Sequence, residues 1–287
     1  MENVTLCLNT SLAYGVPLIE QVRMLKDTGF NGFFTPWNRE KVSLAEMRTL
    51  ADSIGMLYQS VHGPTKGVAV IWEPGEEGDA ALRDLCACAE DCGRNGIPIM
   101  VSHTYRTFEY REPSREGLDR FHRLADVCGE NGVMLALENT EGKYQLRALM
   151  DMLKNHEAVG YCWDCGHEMC YDHGEDILGQ NGEKLICTHL NDNLGVRDFG
   201  GVIGALDDLH LLPFDGIGDW ENIVSRLNDW KYTGPLTFEL KKVNHPTRHE
   251  TDGYTLMTME RFFAEAYMRA CRVATLMKRD RAKRENS

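Results

Sequence analysis

Histidine, aspartate and glutamate residues recur along this chain, each near the end of a short apolar run. The members of this set are His62, His103, Glu138, Asp164, His167, His189, Asp208, His210 and Glu239. A single residue of this kind is more often a hydrogen-bonded core histidine or a strand-end carboxylate than a functional group. Several such residues at one level of a fold favour a functional site, because burying unpaired charges together is costly unless a cation compensates them.

The mixture of carboxylates and imidazoles indicates which cation that would be. It favours a borderline divalent metal, Zn²⁺, Mn²⁺ or Co²⁺, over Ca²⁺ or an iron–sulfur centre. Cys162-Trp163-Asp164-Cys165 is formally a C-x-x-C motif, but no second pair follows at zinc-site spacing. We therefore interpret the ten cysteines as small buried or half-buried reduced thiols, not as metal ligands or a redox pair.

The elements that must position these residues alternate eight times between short apolar runs and longer amphipathic segments. The predicted strands are Val4–Asn9, Gly32–Thr35, Leu57–Val61, Ile97–Ser102, Val133–Leu137, Val159–Trp163, Leu185–Thr188 and Leu236–Phe238. Between them, sets such as Leu118, Phe121, Leu124 and Ala125 recur at helical spacing. Short apolar strands alternating with helices indicate parallel pairing. The pattern predicts an α/β protein, a single (β/α)8 TIM barrel over residues 1–287.

An open doubly wound sheet shows the same alternation of strands and helices. Against it, the chain has no G-x-G-x-x-G after the first strand and no G-x-x-x-x-G-K-[ST] motif. We therefore expect no nucleotide or flavin cofactor.

In a barrel the carboxyl ends of the strands meet on one face, where the active site forms. Six successive predicted strands are followed there by a histidine, aspartate or glutamate. A mixed oxygen and nitrogen metal site is predicted from Glu138, Asp164, His189 and Glu239, each on a different strand. Three carboxylates, one imidazole and one divalent ion leave about one negative charge, which suits a neutral hydroxy-carbonyl ligand.

Several motifs together resemble the xylose-isomerase-like TIM-barrel superfamily over essentially the whole barrel, with the closest resemblance to its sugar phosphate isomerase/epimerase branch. The stretches that carry the resemblance are Glu138-Asn139, Asp164-Cys165-Gly166-His167, His189-Leu190-Asn191-Asp192-Asn193, Asp208 to Pro213, Gly216 to Trp220, and Phe238-Glu239. The resemblance implies that Glu138, Asp164, His189 and Glu239 bind the divalent metal. It also implies that the two glutamates act as acid and base and that His167 contacts substrate.

The reaction that this resemblance implies is proton removal next to a sugar carbonyl, through an enediolate that the metal stabilises. Glu138 and Glu239 form the acid–base pair, and either one could remove the first proton. Reprotonation of the same carbon on its other face gives epimerisation, and reprotonation of the neighbouring carbon gives aldose–ketose isomerisation. Substrate contacts are predicted from His62, His103, Glu141, His167 and His210, although His210 is equally consistent with a surface loop. Further metal ligands are possible at His62, His103, His167, Asp208 and His210.

Two loops are candidates for walls of the pocket. The Asn191–Gly218 connection carries six glycines and predicts a lid over bound sugar. The His62–Asp79 loop contains Trp72, which would be exposed if it stacked on sugar and is at least as readily explained by core packing. Lys241, Lys242, Arg197 and Arg248 are candidates for holding a phosphate and equally for solvated surface.

Two other functions stay open. An endonuclease IV-type AP endonuclease with three zinc ions would use the nine residues of the opening set, and it shares the His189-Leu190-Asn191-Asp192 run. The net charge of −13, from 31 basic and 44 acidic residues, disfavours nucleic acid as a partner because DNA binding depends on Lys and Arg contacts to phosphates. A non-catalytic metal- or sugar-binding barrel is the other alternative, although both glutamates are present.

Composition limits the remaining possibilities. No apolar run approaches the ~18 residues that a membrane helix needs, so we expect no membrane partner. The amino terminus has no basic segment typical of a secretory signal, which favours the cytoplasm. The partner expected is therefore a small-molecule sugar or sugar phosphate, and a homo-oligomer stays open because the C-terminal helix could pack on the barrel or on a second subunit.

Overall fold

A computed structural model describes residues 4–172, 174–195, 205–245 and 247–286. Their contacts divide the chain into two compact units. One unit comprises Met1–Phe33 and Trp163–Ser287, and the other comprises Phe34–Cys162. The two boundaries, after Phe33 and after Cys162, fall inside strands.

The described strands form one eight-stranded sheet in the order β7-β6-β5-β4-β3-β2-β1-β8. Their bounds are β1 Leu6–Asn9, β2 Gly32–Pro36, β3 Leu57–His62, β4 Ile99–His103, β5 Met134–Glu138, β6 Val159–Asp164, β7 Leu185–His189 and β8 Leu236–Phe238. The strands pair in parallel, as in β1 with β8 and β4 with β5. Leu190, directly after β7, forms a parallel bridge with Phe238 of β8. The first and last strands of the order are therefore joined, and the predicted (β/α)8 barrel is confirmed.

Helices lie between the strands, as the periodicity predicts. Their bounds are α1 Leu18–Thr28, α2 Leu44–Ile54, α3 Glu76–Arg94, α4 Arg115–Glu130, α5 Lys143–Met152, α6 Cys165–Tyr171, α7 Ile177–Asn181, α8 Trp220–Asp229, α9 Asp252–Thr255 and α10 Met259–Glu285. The apolar stripe of α4 is buried through Phe121, Leu124 and Ala125, each with no exposed surface. Burial of one face of each helix against the sheet is what holds a barrel of this kind together.

The C-terminal helix α10 packs on the unit that carries the chain termini. It contacts α1, α8 and β8. Its buried residues include Phe262, Phe263, Ala270 and Val273, whereas Met268 is 67% exposed. The ring of Tyr267 lies 5.3 Å from that of Phe30, edge to face. Most of the apolar face of α10 is thus used within its own chain, which is one of the two arrangements that the sequence left open.

Trp72 is not an exposed wall of a pocket. Its side chain is 3% exposed, and its ring packs against Phe121 with centroids 5.7 Å apart. The indole nitrogen donates to the carbonyl oxygen of Thr104 at 2.8 Å. A Cβ at Gly117 would lie 2.1 Å from the indole ring, so the helix approaches the ring as closely as only glycine allows. The expectation of an exposed Trp72 is therefore wrong, and its alternative, core packing, is correct.

The ten cysteines are free thiols, and eight of them are buried. Burial raises the pKa of most of them, for example Cys7 and Cys165, which keeps the thiols protonated and unreactive. Within the described ranges, no helix is both long enough and apolar enough to cross a membrane.

Replacement of Trp72 by alanine is expected to destabilise the protein by about 3–5 kcal/mol, because it empties a large core volume and removes a buried hydrogen bond. Chemical denaturation measures this change in the free energy of unfolding. The matched control is Leu256→Ala, at a side chain that is 88% exposed, where we expect a change within about 0.5 kcal/mol. A loss at Trp72 no larger than at Leu256 would contradict its role in the core.

Candidate functional site

The ionisable residues of the set are placed by strands rather than by loops. His62, His103, Glu138, Asp164 and His189 are the last residues of β3, β4, β5, β6 and β7 respectively. Glu239 follows the last residue of β8 and donates its backbone N–H to the carbonyl of Leu190. Because the strands run in parallel, each of these residues occupies the carboxyl end of its strand, the end at which barrel active sites form.

In the unit Phe34–Cys162, two imidazoles approach one buried carboxylate. Glu138 has no exposed surface. Its Oε2 lies 3.3 Å from Nε2 of His62 and 3.4 Å from Nε2 of His103. The two rings meet edge to face with centroids 4.9 Å apart. These three residues form one candidate metal-binding group.

The protonation of His62 shows what this arrangement requires. Nδ1 of His62 lies 2.8 Å from the carbonyl oxygen of Gly63, which can only accept, so Nδ1 carries the proton. A neutral ring then presents a lone pair at Nε2 toward the Glu138 carboxylate. Two electron-rich atoms 3.3 Å apart need a proton or a cation at that position.

In the other unit, the carboxylate of Asp164 is buried and firmly oriented. It has no exposed surface and accepts from the backbone N–H of His167 at 2.8 Å, which caps α6. The side-chain amide of Asn191 donates to both Asp164 oxygens at 3.0 Å. A Cβ at Gly166 would lie 1.8 Å from Oδ1 of Asn191. The glycine of the Asp-x-Gly-His stretch is therefore needed for the approach of Asn191.

His189 and Glu239 form a second acid–imidazole pair in this unit. Nδ1 of His189 lies 3.3 Å from Oε2 of Glu239. The His189 side chain is fully buried, whereas that of Glu239 is 20% exposed. Glu239 therefore lies at the boundary between the protein interior and solvent, where a carboxylate can be reached by a ligand.

Three residues of the predicted set, His167, Asp208 and His210, lie together with Lys241. Oδ2 of Asp208 lies 2.8 Å from Nε2 of His210, 3.0 Å from Nζ of Lys241 and 3.6 Å from Nε2 of His167. Burial opposes ionisation of Asp208, but the neighbouring His210, Lys241 and His167 hold its pKa well below the usual range. His210 is buried, which decides between its two sequence interpretations in favour of a position inside the fold.

Asp192 organises the turn at residues 214–218 of the Asn191–Gly218 connection, and the sequence analysis did not select it as a site residue. Its carboxylate accepts hydrogen bonds at 2.9 Å from the backbone of Phe214 and Gly218 and from the indole of Trp220. A Cβ at Gly216 would lie 2.2 Å from Oδ1 of Asp192. The two closely spaced glycines, Gly216 and Gly218, were the available signal of a buried group at this turn.

Arg197 and Arg248 are candidates for phosphate binding in the sequence, and Glu141 is a candidate for substrate binding. Residues 196–204, and with them Arg197 and the central part of the predicted lid, lie outside the described residues. Arg248 is 5% exposed and is paired with Asp207 and Glu250, so it is neither solvated surface nor a ready phosphate ligand. Its hydrogen bond lowers the pKa of Glu250 to about 2. Glu141 is half-buried just beyond β5, and its role in substrate binding stays a prediction.

Comparison with known sequences identifies relatives of the chain. The family described as "Xylose isomerase-like TIM barrel" matches residues 22–257. The uncharacterized protein y4fM of Sinorhizobium fredii (strain NBRC 101917 / NGR234) is 33% identical over 157 residues. This match covers 50% of the chain and 47% of y4fM, so the chain matches about half the length of this curated relative.

Solved structures of similar fold include several barrels. A xylose isomerase-like TIM barrel/4-hydroxyphenylpyruvate dioxygenase fusion protein has a TM-score of 0.74 at 16% identity, covering 99% of this chain and 45% of the fusion. L-ribulose 3-epimerase has a TM-score of 0.71 at 14% identity, and the match covers 99% of this chain and 97% of the epimerase. The IOLI protein with a binding zinc atom has a TM-score of 0.72 at 17% identity, and the match covers 94% of this chain and 98% of the IOLI protein. At these identities the likeness shows the fold.

Replacement of Asp192 by asparagine is expected to destabilise the protein by about 1–3 kcal/mol, because an amide group then faces N–H donors that need an acceptor. Urea denaturation of the variant and the parent measures the loss. The matched control is Asp219→Asn at the exposed N-cap of α8, where asparagine caps as well as aspartate and we expect a change within about 0.5 kcal/mol. Equal effects at the two positions would contradict the role of Asp192.

Proposed function

We propose that this chain, which belongs to the family of xylose isomerase-like TIM barrels, is a divalent-metal-dependent isomerase or epimerase of a sugar or sugar phosphate. One observation carries the proposal: the strands β3 to β7 each end on a histidine, aspartate or glutamate, and Glu239 directly follows β8. A fold that only needed a core would not place ionisable residues at the end of six successive strands, because their burial is costly.

The proposed metal ligands are Glu138, Asp164, His189 and Glu239. Their donor set of carboxylates and one imidazole fits Zn²⁺, Mn²⁺ or Co²⁺. The contact of 3.3 Å between Nε2 of His62 and Oε2 of Glu138 supports a cation beside the Glu138 carboxylate, because a neutral imidazole with its proton on Nδ1 would present a lone pair there. The zinc atom bound by the IOLI protein, whose structure has a TM-score of 0.72, gives further support for a divalent ion. A bound divalent ion supplies Lewis acidity, which polarises a carbonyl and acidifies the neighbouring C–H.

Glu138 and Glu239 are the proposed acid–base pair. One carboxylate takes the proton from the carbon next to the carbonyl. Either the other glutamate then delivers its own proton to the opposite face of the same carbon, or the first glutamate returns its proton to the former carbonyl carbon while a hydroxyl proton passes between the two oxygens. The first outcome inverts a stereocentre, and the second exchanges an aldose for a ketose. A relative exposure of 20% at Glu239 supports access of substrate to this carboxylate. The names of structural neighbours such as L-ribulose 3-epimerase and D-psicose 3-epimerase support the substrate class.

The surrounding histidines have proposed roles in holding the sugar. His167 and His210 would donate hydrogen bonds to substrate oxygens, and His62, His103 and Glu141 would line the same pocket. The buried position of His210, and the fixing of its Nδ1 by the carbonyl of Glu239 at 3.0 Å, support a precise orientation of the ring. A single catalytic domain over residues 1–287 in the cytoplasm completes the proposal.

Glu138→Gln and Glu239→Gln are each expected to slow proton exchange by about 10²–10⁴-fold, because an amide cannot take up the substrate proton. The measurement is deuterium incorporation from heavy water next to the carbonyl, followed by NMR across a panel of ketoses and ketose phosphates with Zn²⁺, Mn²⁺ or Co²⁺ present. The matched control is Glu221→Gln, an exposed glutamate in α8, which we expect to leave the rate unchanged.

Two outcomes of this assay would contradict the proposal. Absence of exchange in every sugar with metal bound would favour the non-catalytic barrel. Metal-dependent incision of a duplex that contains an abasic site, assayed in parallel, would favour the endonuclease IV-type activity, whose protein ligands all have counterparts in the chain.

Removal of the metal is expected to lower thermal stability, because buried carboxylates then lose the compensating cation. Adding Zn²⁺, Mn²⁺ or Co²⁺ at about one hundred times its Kd should stabilise the folded state by about 2.7 kcal/mol, and a chelator should reverse this gain. Thermal unfolding of the wild type and of Asp164→Asn tests the ligand role, since the variant should lose most of the metal-dependent shift. A wild-type Tm that responds to none of the three ions would contradict the metal site.

A further inference from the structure

Lys241 occupies a position that the proposed function does not use. Its Nζ lies 3.0 Å from Oδ2 of Asp208 and 3.4 Å from the Asp208 carbonyl oxygen. Its backbone N–H donates to the carbonyl of His210 at 3.0 Å. The Lys241 side chain is 37% exposed, whereas the Asp208 side chain that it contacts is 11% exposed. The Lys241 ammonium therefore contacts both the side chain and the backbone carbonyl of Asp208, a mostly buried acid.

The same region has the donor atoms for a metal ion. Ligand atoms of Asp164, His167 and His210 lie within 4.8 Å of one another and form a candidate metal-binding group. Asp208 adjoins it, because its Oδ2 is 2.8 Å from His210 Nε2 and 3.6 Å from His167 Nε2. A barrel with this donor set would be expected to take a further divalent ion next to Asp208.

The contacts of Asp208 oppose such an ion. Nδ1 of His210 faces the carbonyl oxygen of Glu239 at 3.0 Å and so carries a proton, while Nε2 faces Asp208. The ammonium of Lys241 contacts the same Asp208 oxygen at 3.0 Å, so both His210 and Lys241 already lie against it. A divalent ion at this oxygen would lie within a few ångströms of the Lys241 ammonium, and the two like charges would repel each other.

We propose that Lys241 is a built-in cation that takes the place of an additional metal ion beside Asp208, so that the site binds fewer than three ions. The inference rests on the proposed function, because it concerns the metal content of the same site. It removes His167 and His210 from the possible metal ligands. It also separates this chain from a three-zinc nuclease on the basis of one side chain rather than of net charge.

The test is a count of bound zinc per chain, by elemental mass spectrometry after reconstitution with excess Zn²⁺ and buffer exchange. Lys241→Met removes the charge and keeps the length of the side chain. Lys241→Arg keeps the charge. The matched control is Lys242→Met, the adjacent lysine, whose Nζ donates to the Thr255 carbonyl at 3.2 Å. We expect the wild type, Lys241→Arg and Lys242→Met to bind equal numbers of ions, fewer than three, and Lys241→Met to bind one more.

Two results would overturn the inference. Three zinc ions in the wild-type protein would overturn it without any variant, which covers the case in which Lys241→Met does not fold. A Lys241→Met protein that is folded by circular dichroism and binds no additional ion would overturn it while leaving the proposed function intact. A wild type that binds no divalent ion would instead remove the proposed function together with the inference.

Discussion

The burial of two carboxylates constrains much of the rest of the site. Glu138 and Asp164 have no exposed surface, and an ionised carboxylate loses far more hydration free energy on burial than a neutral group does. Each unit of the chain compensates its own acid. Beside Glu138, the Nε2 atoms of His62 and His103 lie 3.3 Å and 3.4 Å from Oε2, and a proton or a cation at this position balances the carboxylate. Around Asp164 the compensation comes from the amide of Asn191 and the first turn of α6.

This requirement explains small features that otherwise look incidental. Asn191 must approach Asp164 closely enough to contact both of its oxygens, and only a glycine at position 166 leaves room for that approach. The carboxylate of Asp192, the next residue, accepts hydrogen bonds from the Phe214–Trp220 segment instead. Two adjacent side chains after β7 therefore connect the strand end to the helix α6 and to the following loop.

Sequence alone was sufficient for the barrel and for the strand-end residues, because both depend on local patterns. Alternation of apolar runs with helical stripes is a property of neighbouring residues, and a residue at the end of a parallel strand points to the same edge as its counterparts. The bounds differed slightly. The predicted strand from Ile97 begins at Ile99, and the histidines and acids predicted to follow strands β3 to β7 are their last residues.

The features that sequence could not provide depend on contacts between distant segments. Trp72 and Arg248 were interpreted by residue type, yet the first packs against a helix that begins more than forty positions later, and the second is neutralised by Asp207 across a similar separation. His210 adopts φ of 48°, a conformation that few non-glycine residues take. The residues next to it in the sequence do not predict this conformation. The Asp192 partners are mainly backbone N–H groups, which any sequence would supply.

The ammonium beside Asp208 has a property that no dissociable ion shares. Because Lys241 is covalently part of the chain and lies two residues beyond Glu239, its charge is present at a fixed, very high effective concentration. Its occupancy is then independent of how much metal the surroundings provide, and chelators that strip an exchangeable ion leave it in place. The positive charge beside Asp208 is consequently present as soon as the polypeptide is made, and it does not depend on metal supply.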